Sequence, residues 1–188
     1  VVEEALKGGA DIVQLREKDM ETADFLEEAR RIKAITDRYG KVLLINDRID
    51  VALAVGADGV HIGQSDMPYR EARRLLGIDA IIGLSIETYK QAREANDFDV
   101  DYIAVSPVYR TPTKEELTEE LGLEGVKKIT EISRHRTVGI GSIKAHNAGD
   151  VIRAGAEGVA VVSGICSADD PQAAARELKQ KVEEARRN

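Results

Sequence analysis

Short runs rich in β-branched residues alternate with longer amphipathic stretches along the whole chain, and no linker or low-complexity break interrupts them. A strand, a covering helix and a further parallel strand form the βαβ unit. A chain built only from this alternation is confined to an open doubly wound sheet or a closed barrel. Strands are predicted at Asp11 to Leu15, Lys41 to Ile45, Gly59 to Ile62, Ala80 to Leu84, Tyr102 to Val105, Thr137 to Ile140 and Gly158 to Val162. Helices are predicted at Thr22 to Arg38, Ile49 to Val55, Tyr69 to Leu76, Thr88 to Glu94, Leu123 to Ser133, Ala145 to Ala154 and Pro171 to Arg187, after an opening helical stretch over Val1 to Leu6. Small-residue turns recur between helix and strand at Gly8-Gly9-Ala10-Asp11, Gly56-Ala57-Asp58-Gly59 and Gly155-Ala156-Glu157-Gly158. Glycine just past a helix supplies a left-handed cap, and its recurrence marks a repeated unit. The count predicts an α/β fold, a (β/α)8 TIM barrel over residues 1–188 as a single domain, with the first strand absent from the sequence. A flavodoxin-like open sheet is the second architecture.

Charge narrows the classes of partner. Lys and Arg total 27 against 34 Asp and Glu, a formal charge of -7. That is a poor match to a nucleic-acid surface, though a local basic cluster suits one phosphorylated small molecule. Cys166 is the one cysteine, so no internal disulfide forms. Neither a signal peptide nor an apolar run of the ~20 residues a membrane helix needs is present, which predicts no membrane partner and a cytoplasmic location.

In a parallel barrel, polar residues inside strands are costly unless they face a ligand near the strand's C-terminal end. In the first predicted strand, Val13 and Leu15 alternate with Gln14 and Arg16, and period two carries Gln14, Arg16 and Lys18 to the opposite face. A strand running out into solvated charge is the alternative. The next strand ends in Asn46-Asp47-Arg48, and the one after leads through His61 and Gln64 to Asp66. Two carboxylates at neighbouring strand ends suit Mg²⁺, with substrate phosphate and water completing its octahedron. As alternatives, Asp47 caps the helix at Ile49 and Asp66 caps the helix after Pro68. A lone strand histidine such as His61 is an ordinary hydrogen-bonding residue more often than a ligand, and neither His135 nor His146 has metal-site spacing.

A long segment, residues 106–122, follows the Tyr102 strand and exceeds the ~2 to 6 residues usual for such a connection. Thr111, Thr113 and Lys114 offer two hydroxyls and a cation suited to phosphate, with Ser85 pointing inward beside them, while Glu115, Glu116, Glu119 and Glu120 read as a solvated face. The last two strands end in Gly141-Ser142-Ile143 and Val162-Ser163-Gly164. Exposed N–H groups at such turns form an anion site at the usual phosphate position of this barrel, unless the small residues serve only tight turns.

The motifs VQLREK (Val13 to Lys18), the stretch from Ile45 to Pro68 containing DVALAVGADGVHIGQ, IIGLS (Ile81 to Ser85), TPTK (Thr111 to Lys114) and GVAVVS (Gly158 to Ser163) appear in fixed order. Together they resemble the thiamine-phosphate synthase family nearly end to end. The resemblance implies that Gln14, Leu15, Arg16, Glu17, Lys18 and Asn46 hold an aminopyrimidine diphosphate, with Ser85 and Lys114 also contacting it. It implies Mg²⁺ on that diphosphate, bound by Asp47 and Asp66. Thr111, Pro112, Thr113, Gly141, Ser142, Val162 and Ser163 would hold a thiazole phosphate. The implied reaction is displacement of diphosphate by the thiazole nitrogen through a carbocation-like pyrimidine. Arg16, Lys18, Ser85 and Lys114 would carry catalysis, with no nucleophile, and Cys166 would be a packed or incidental thiol. The family's usual Gly-Gly-Ile turn reads Gly141-Ser142-Ile143 here, so the Ser142 side chain is expected to crowd the phosphate or bond to it. A thiazole tautomerase and a non-catalytic thiamine-precursor-binding barrel are the alternative functions. The oligomeric state is left open.

Overall fold

The computed structural model describes residues 1–110 and 120–187. Its elements are α1 (Val2–Lys7), β1 (Ile12–Leu15), α2 (Thr22–Arg38), β2 (Val42–Asn46), α3 (Ile49–Val55), β3 (Gly59–Ile62), α4 (Tyr69–Leu76), β4 (Ile81–Ile86), α5 (Tyr89–Ala95), β5 (Tyr102–Val105), α6 (Gly122–Ile132), β6 (Arg136–Ile140), α7 (Ala145–Arg153), β7 (Gly158–Ala160), α8 (Ser163–Cys166) and α9 (Pro171–Arg187). The seven strands form one parallel sheet in the order β1-β2-β3-β4-β5-β6-β7. A flavodoxin-like sheet reverses its strand order at a switch point, so this sequential order excludes it. The sheet curls into a TIM-barrel-like half-barrel with β1 and β7 at its edges, in keeping with the barrel class and the seven strands that were expected.

Period two divides every strand between a helix-facing layer and an inner face. Leu43 and Ile45 of β2, Val60 and Ile62 of β3, Ile82, Leu84 and Ile86 of β4, and Ile103 and Val105 of β5 belong to the buried cluster shared with Phe25, Ala29, Val126 and Ile129 of the helices. Each large apolar side chain buried here stabilises the fold by about 1.5–3 kcal/mol, before conformational entropy is subtracted. Val13 and Leu15 of β1 pack against the same cluster. The intervening positions, Gln14, Leu44, Asn46, His61, Gly83, Ser85, Tyr102 and Ala104, therefore share the inner face.

Strand starts are tied by a repeated device. The Asp58 N–H donates to Leu43 O (3.0 Å), while the Leu43 N–H donates to the Asp58 carboxylate (2.8 Å). Asp101 repeats the pair with Ile82 at 2.9 and 2.8 Å. Among the predicted turns, Gly56 is left-handed at φ 66°, whereas at Gly8-Gly9 the positive φ falls on Gly9, because Gly8 completes the last turn of α1. Strand β7 stops at Ala160, two residues before its predicted end, and the four-residue helix α8 begins at Ser163. Periodicity carries no signal for a helix of a single turn. Among the described residues, no helix is long and apolar enough to cross a membrane.

Candidate active site

The C-terminal ends of β1 to β4 gather the polar residues of the inner face. Lys18, beyond β1, forms an ion pair with Asp47, beyond β2. Asn46 Nδ2 donates to the same Asp47 oxygen at 2.9 Å, and the Asp47 N–H donates to His61 O at 2.9 Å. Asp47 has φ 51°, a left-handed conformation that costs a non-glycine residue about 1–2 kcal/mol. Strain of this kind is retained where the side chain has work to do. The Asp47 carboxylate does not cap α3, since no side-chain cap bond forms at that helix.

Asp66 accepts from the Gly63 N–H at 2.6 Å and so closes the turn that leaves β3. It is not the cap of α4 either, whose N-cap is Pro68. Asp47 and Asp66 thus flank the same end of β3, one through His61 O and the other through Gly63 N–H. Both are hard oxygen donors, and Asp66 Oδ1 takes no part in the Gly63 bond. The donor set fits a cation that takes one or two carboxylates and completes its shell with phosphate and water. Among the described residues, no group of three or more His, Cys, Asp or Glu side chains gathers at one point.

His61 is buried, and both ring nitrogens have partners: Nδ1 lies 2.8 Å from the Tyr102 hydroxyl and Nε2 lies 2.9 Å from Ser85 Oγ. The two rings stack with centroids 5.6 Å apart. Burial pushes the Tyr102 phenol well above its ordinary pKa, and the nearby Asp101 carboxylate adds to the shift. Gln64 Nε2 donates to Ser85 O at 2.6 Å. Tyr102 and Gln64 carried no assigned role in the sequence. The available signals were an aromatic residue opening an otherwise aliphatic strand and a glycine, Gly83, beside it on β4.

At the other end of the sheet, Gly141 has φ 116°, and a Cβ there would lie 3.0 Å from Pro107 Cα. Ser142 has φ 48°, and its hydroxyl donates to Arg110 O at 2.7 Å. The side chain that was expected to crowd or bind a phosphate is therefore engaged by the preceding loop. The Arg110 N–H donates to Glu120 at 3.0 Å, which draws together the described ends of that loop. Thr111, Pro112, Thr113 and Lys114, with Glu115, Glu116 and Glu119, lie outside the described residues.

The remaining predicted residues are placed as follows. Gln14 and Arg16 are exposed, and Glu17 is half-buried. The Leu15 side chain packs into the helix-facing layer, so only its backbone is turned to the site. Val162 and Ser163 are exposed where β7 passes into α8. Cys166 is an exposed free thiol, not a packed residue. His135 Nε2 bonds to Ala95 O at 2.8 Å, a structural tie between the turn before β6 and the end of α5.

Sequential parallel strands, helices on the outer face and polar residues at the strand ends define an enzyme of the βα-barrel type. The model of the thiamine monophosphate synthase family matches residues 1–165, and the chain belongs to that family. It is 48% identical over 177 residues to a thiamine-phosphate synthase of Clostridium novyi, covering 94% of this chain and 87% of that one. It is 51% identical over 183 residues to one of Leptospira biflexa, covering 95% and 87%. A solved thiamine phosphate pyrophosphorylase from Pyrococcus furiosus superposes with a TM-score of 0.92 at 38% identity, covering 98% of this chain and 88% of that one. The chain is accordingly a transferase of thiamine biosynthesis.

Proposed function

We propose that the protein joins 4-amino-2-methyl-5-hydroxymethylpyrimidine diphosphate to 4-methyl-5-(2-phosphoethyl)thiazole or its carboxylated form, giving thiamine phosphate and diphosphate, with Mg²⁺ as cofactor in the cytoplasm. The bond from the pyrimidine methylene carbon to the diphosphate oxygen breaks, and its electron pair leaves with diphosphate. A new bond forms from the same carbon to the thiazole nitrogen. Such a step requires no enzymic nucleophile. It requires alignment of the two rings and stabilisation of charge building on the leaving group.

The observation that carries this reading is the Lys18–Asp47 pair, held on a left-handed aspartate beside Asn46 at the end of β2. It sets a cation and a carboxylate side by side at the C-terminal ends of the strands, the same ends that carry Ser85 and the exposed Arg16. In the proposal, Lys18, Arg16 and Ser85 bind the diphosphate, with Lys114 added from the loop, while Gln14 and Asn46 orient the pyrimidine. Asp47 and Asp66 would hold Mg²⁺, which supplies charge neutralisation to the departing diphosphate. Gly141, Ser142, Val162 and Ser163 offer backbone donors to the thiazole phosphate, alongside Thr111, Pro112 and Thr113. The test is formation of thiamine phosphate from the two purified substrates with and without Mg²⁺. Metal-dependent product is expected. Folded protein that binds the thiazole phosphate yet forms no product would transfer the site to a tautomerase or to a precursor-binding barrel.

A further inference from the structure

Tyr102 and His61 stand on strands separated by β4, yet their side chains meet. The register places His61, Gly83 and Tyr102 in one row across β3, β4 and β5. A Cβ at Gly83 would lie 2.1 Å from Tyr102 Cζ and 2.3 Å from its hydroxyl, so the phenol crosses β4 over bare backbone. That crossing delivers the hydroxyl to His61 Nδ1, while Nε2 on the far side of the imidazole reaches Ser85 Oγ. Gln64 separately holds the Ser85 carbonyl. One residue of β3 and one just beyond it therefore fasten one β4 serine through two of its atoms.

The relay has a direction. The phenol oxygen lies 2.8 Å from Nδ1, and because burial keeps its proton on, it is assigned as the donor to Nδ1. An imidazole that accepts at Nδ1 carries a proton on Nε2 and donates it to Ser85 Oγ, 2.9 Å away. The serine oxygen then has its acceptor role filled, and its own proton is left to point elsewhere. In the reverse direction, Ser85 would spend its proton on the imidazole and turn only lone pairs to the site, which repel an anion.

We propose that His61 and Gln64 are positioning residues for Ser85, and Tyr102 for His61, so that the Ser85 hydroxyl is presented as a donor to the diphosphate. This rests on the diphosphate reading of the site given above. It assigns work to residues that need not touch substrate, and it explains why a glycine stands between two side chains that must meet.

The experiment is a double-mutant cycle on the full chain, reading the KM for each substrate and inhibition by inorganic diphosphate with Mg²⁺. His61→Leu should raise the KM for the pyrimidine diphosphate and the inhibition constant of inorganic diphosphate about tenfold or more, with the thiazole phosphate KM within about twofold. His61→Gln, which keeps an N–H donor, should recover most of the loss. Tyr102→Phe, which removes a single oxygen, should weaken diphosphate in the same sense and serves if His61→Leu does not fold. Adding Ser85→Ala to His61→Leu should cost little more than either change alone, because both remove the same donor. Additive effects, or equal rises in both KM values, would overturn the assignment. Unmodified protein that neither forms thiamine phosphate nor responds to inorganic diphosphate would remove the underlying reading as well; diphosphate binding with an additive cycle would remove the relay alone.

Discussion

Gly83→Ala is the sharpest probe of how the inner face is assembled. The added methyl would sit 2.1 Å from Tyr102 Cζ, 2.3 Å from its hydroxyl and 2.4 Å from Cε1. Carbon atoms in ordinary contact stand about 3.5–4.0 Å apart, so the ring must retreat by roughly 1.5 Å. It is stacked on His61 and hydrogen-bonded to it at 2.8 Å, and a shift of that size breaks the bond. Overpacking costs about 1–3 kcal/mol and the lost hydrogen bond about 0.5–1.5 kcal/mol, which together come to roughly 2–4 kcal/mol. In a chain of this size that lowers Tm by roughly 5–15 °C. Urea unfolding and calorimetry measure the loss. Combining Gly83→Ala with Tyr102→Ala isolates the clash, because without the ring the methyl enters vacated space and should cost less than about 0.5 kcal/mol beyond Tyr102→Ala alone. A neutral Gly83→Ala, or costs that simply add, would refute the crossing of Tyr102 over β4.

Asp47→Asn keeps a side chain that tolerates φ 51° and removes the charge paired with Lys18. It should lower kcat about 100-fold or more while moving Tm by no more than about 2 °C, and equal loss of folding would return Asp47 to a structural role. Excess EDTA should abolish turnover and added Mg²⁺ restore it; an unchanged rate would remove the metal role of Asp47 and Asp66. Ser142→Gly relieves a left-handed serine but gives up the bond to Arg110 O, so stability should stay within about 1 kcal/mol. The thiazole phosphate KM should move more than the pyrimidine diphosphate KM, and the reverse would contradict the division of the site.

Much of this molecule was legible from residue order alone. The βα alternation is a local property, written in hydrophobic period, and the seven predicted strands match the seven observed to within a few residues at each end. The inner face was legible for the same reason: alternation within a strand is a backbone consequence, so Gln14 separates from Val13 and Leu15 without reference to the rest of the chain. The counts of helices and strands favoured the sequential order of a barrel, but pairing is decided between segments distant in sequence, and only the assembled sheet excludes a reversed order. The same holds for Asp47 and Asp66, for which the residues alone leave helix capping open beside metal binding. Only the fold turns one toward Lys18 and the other toward the Gly63 N–H. The row His61, Gly83, Tyr102 lies furthest from the sequence's reach: its residues are about 20 positions apart, and only the register of two strand pairs aligns them. A parallel sheet places side by side what the chain separates by a whole βα unit, and that is where this site acquires its polar contacts.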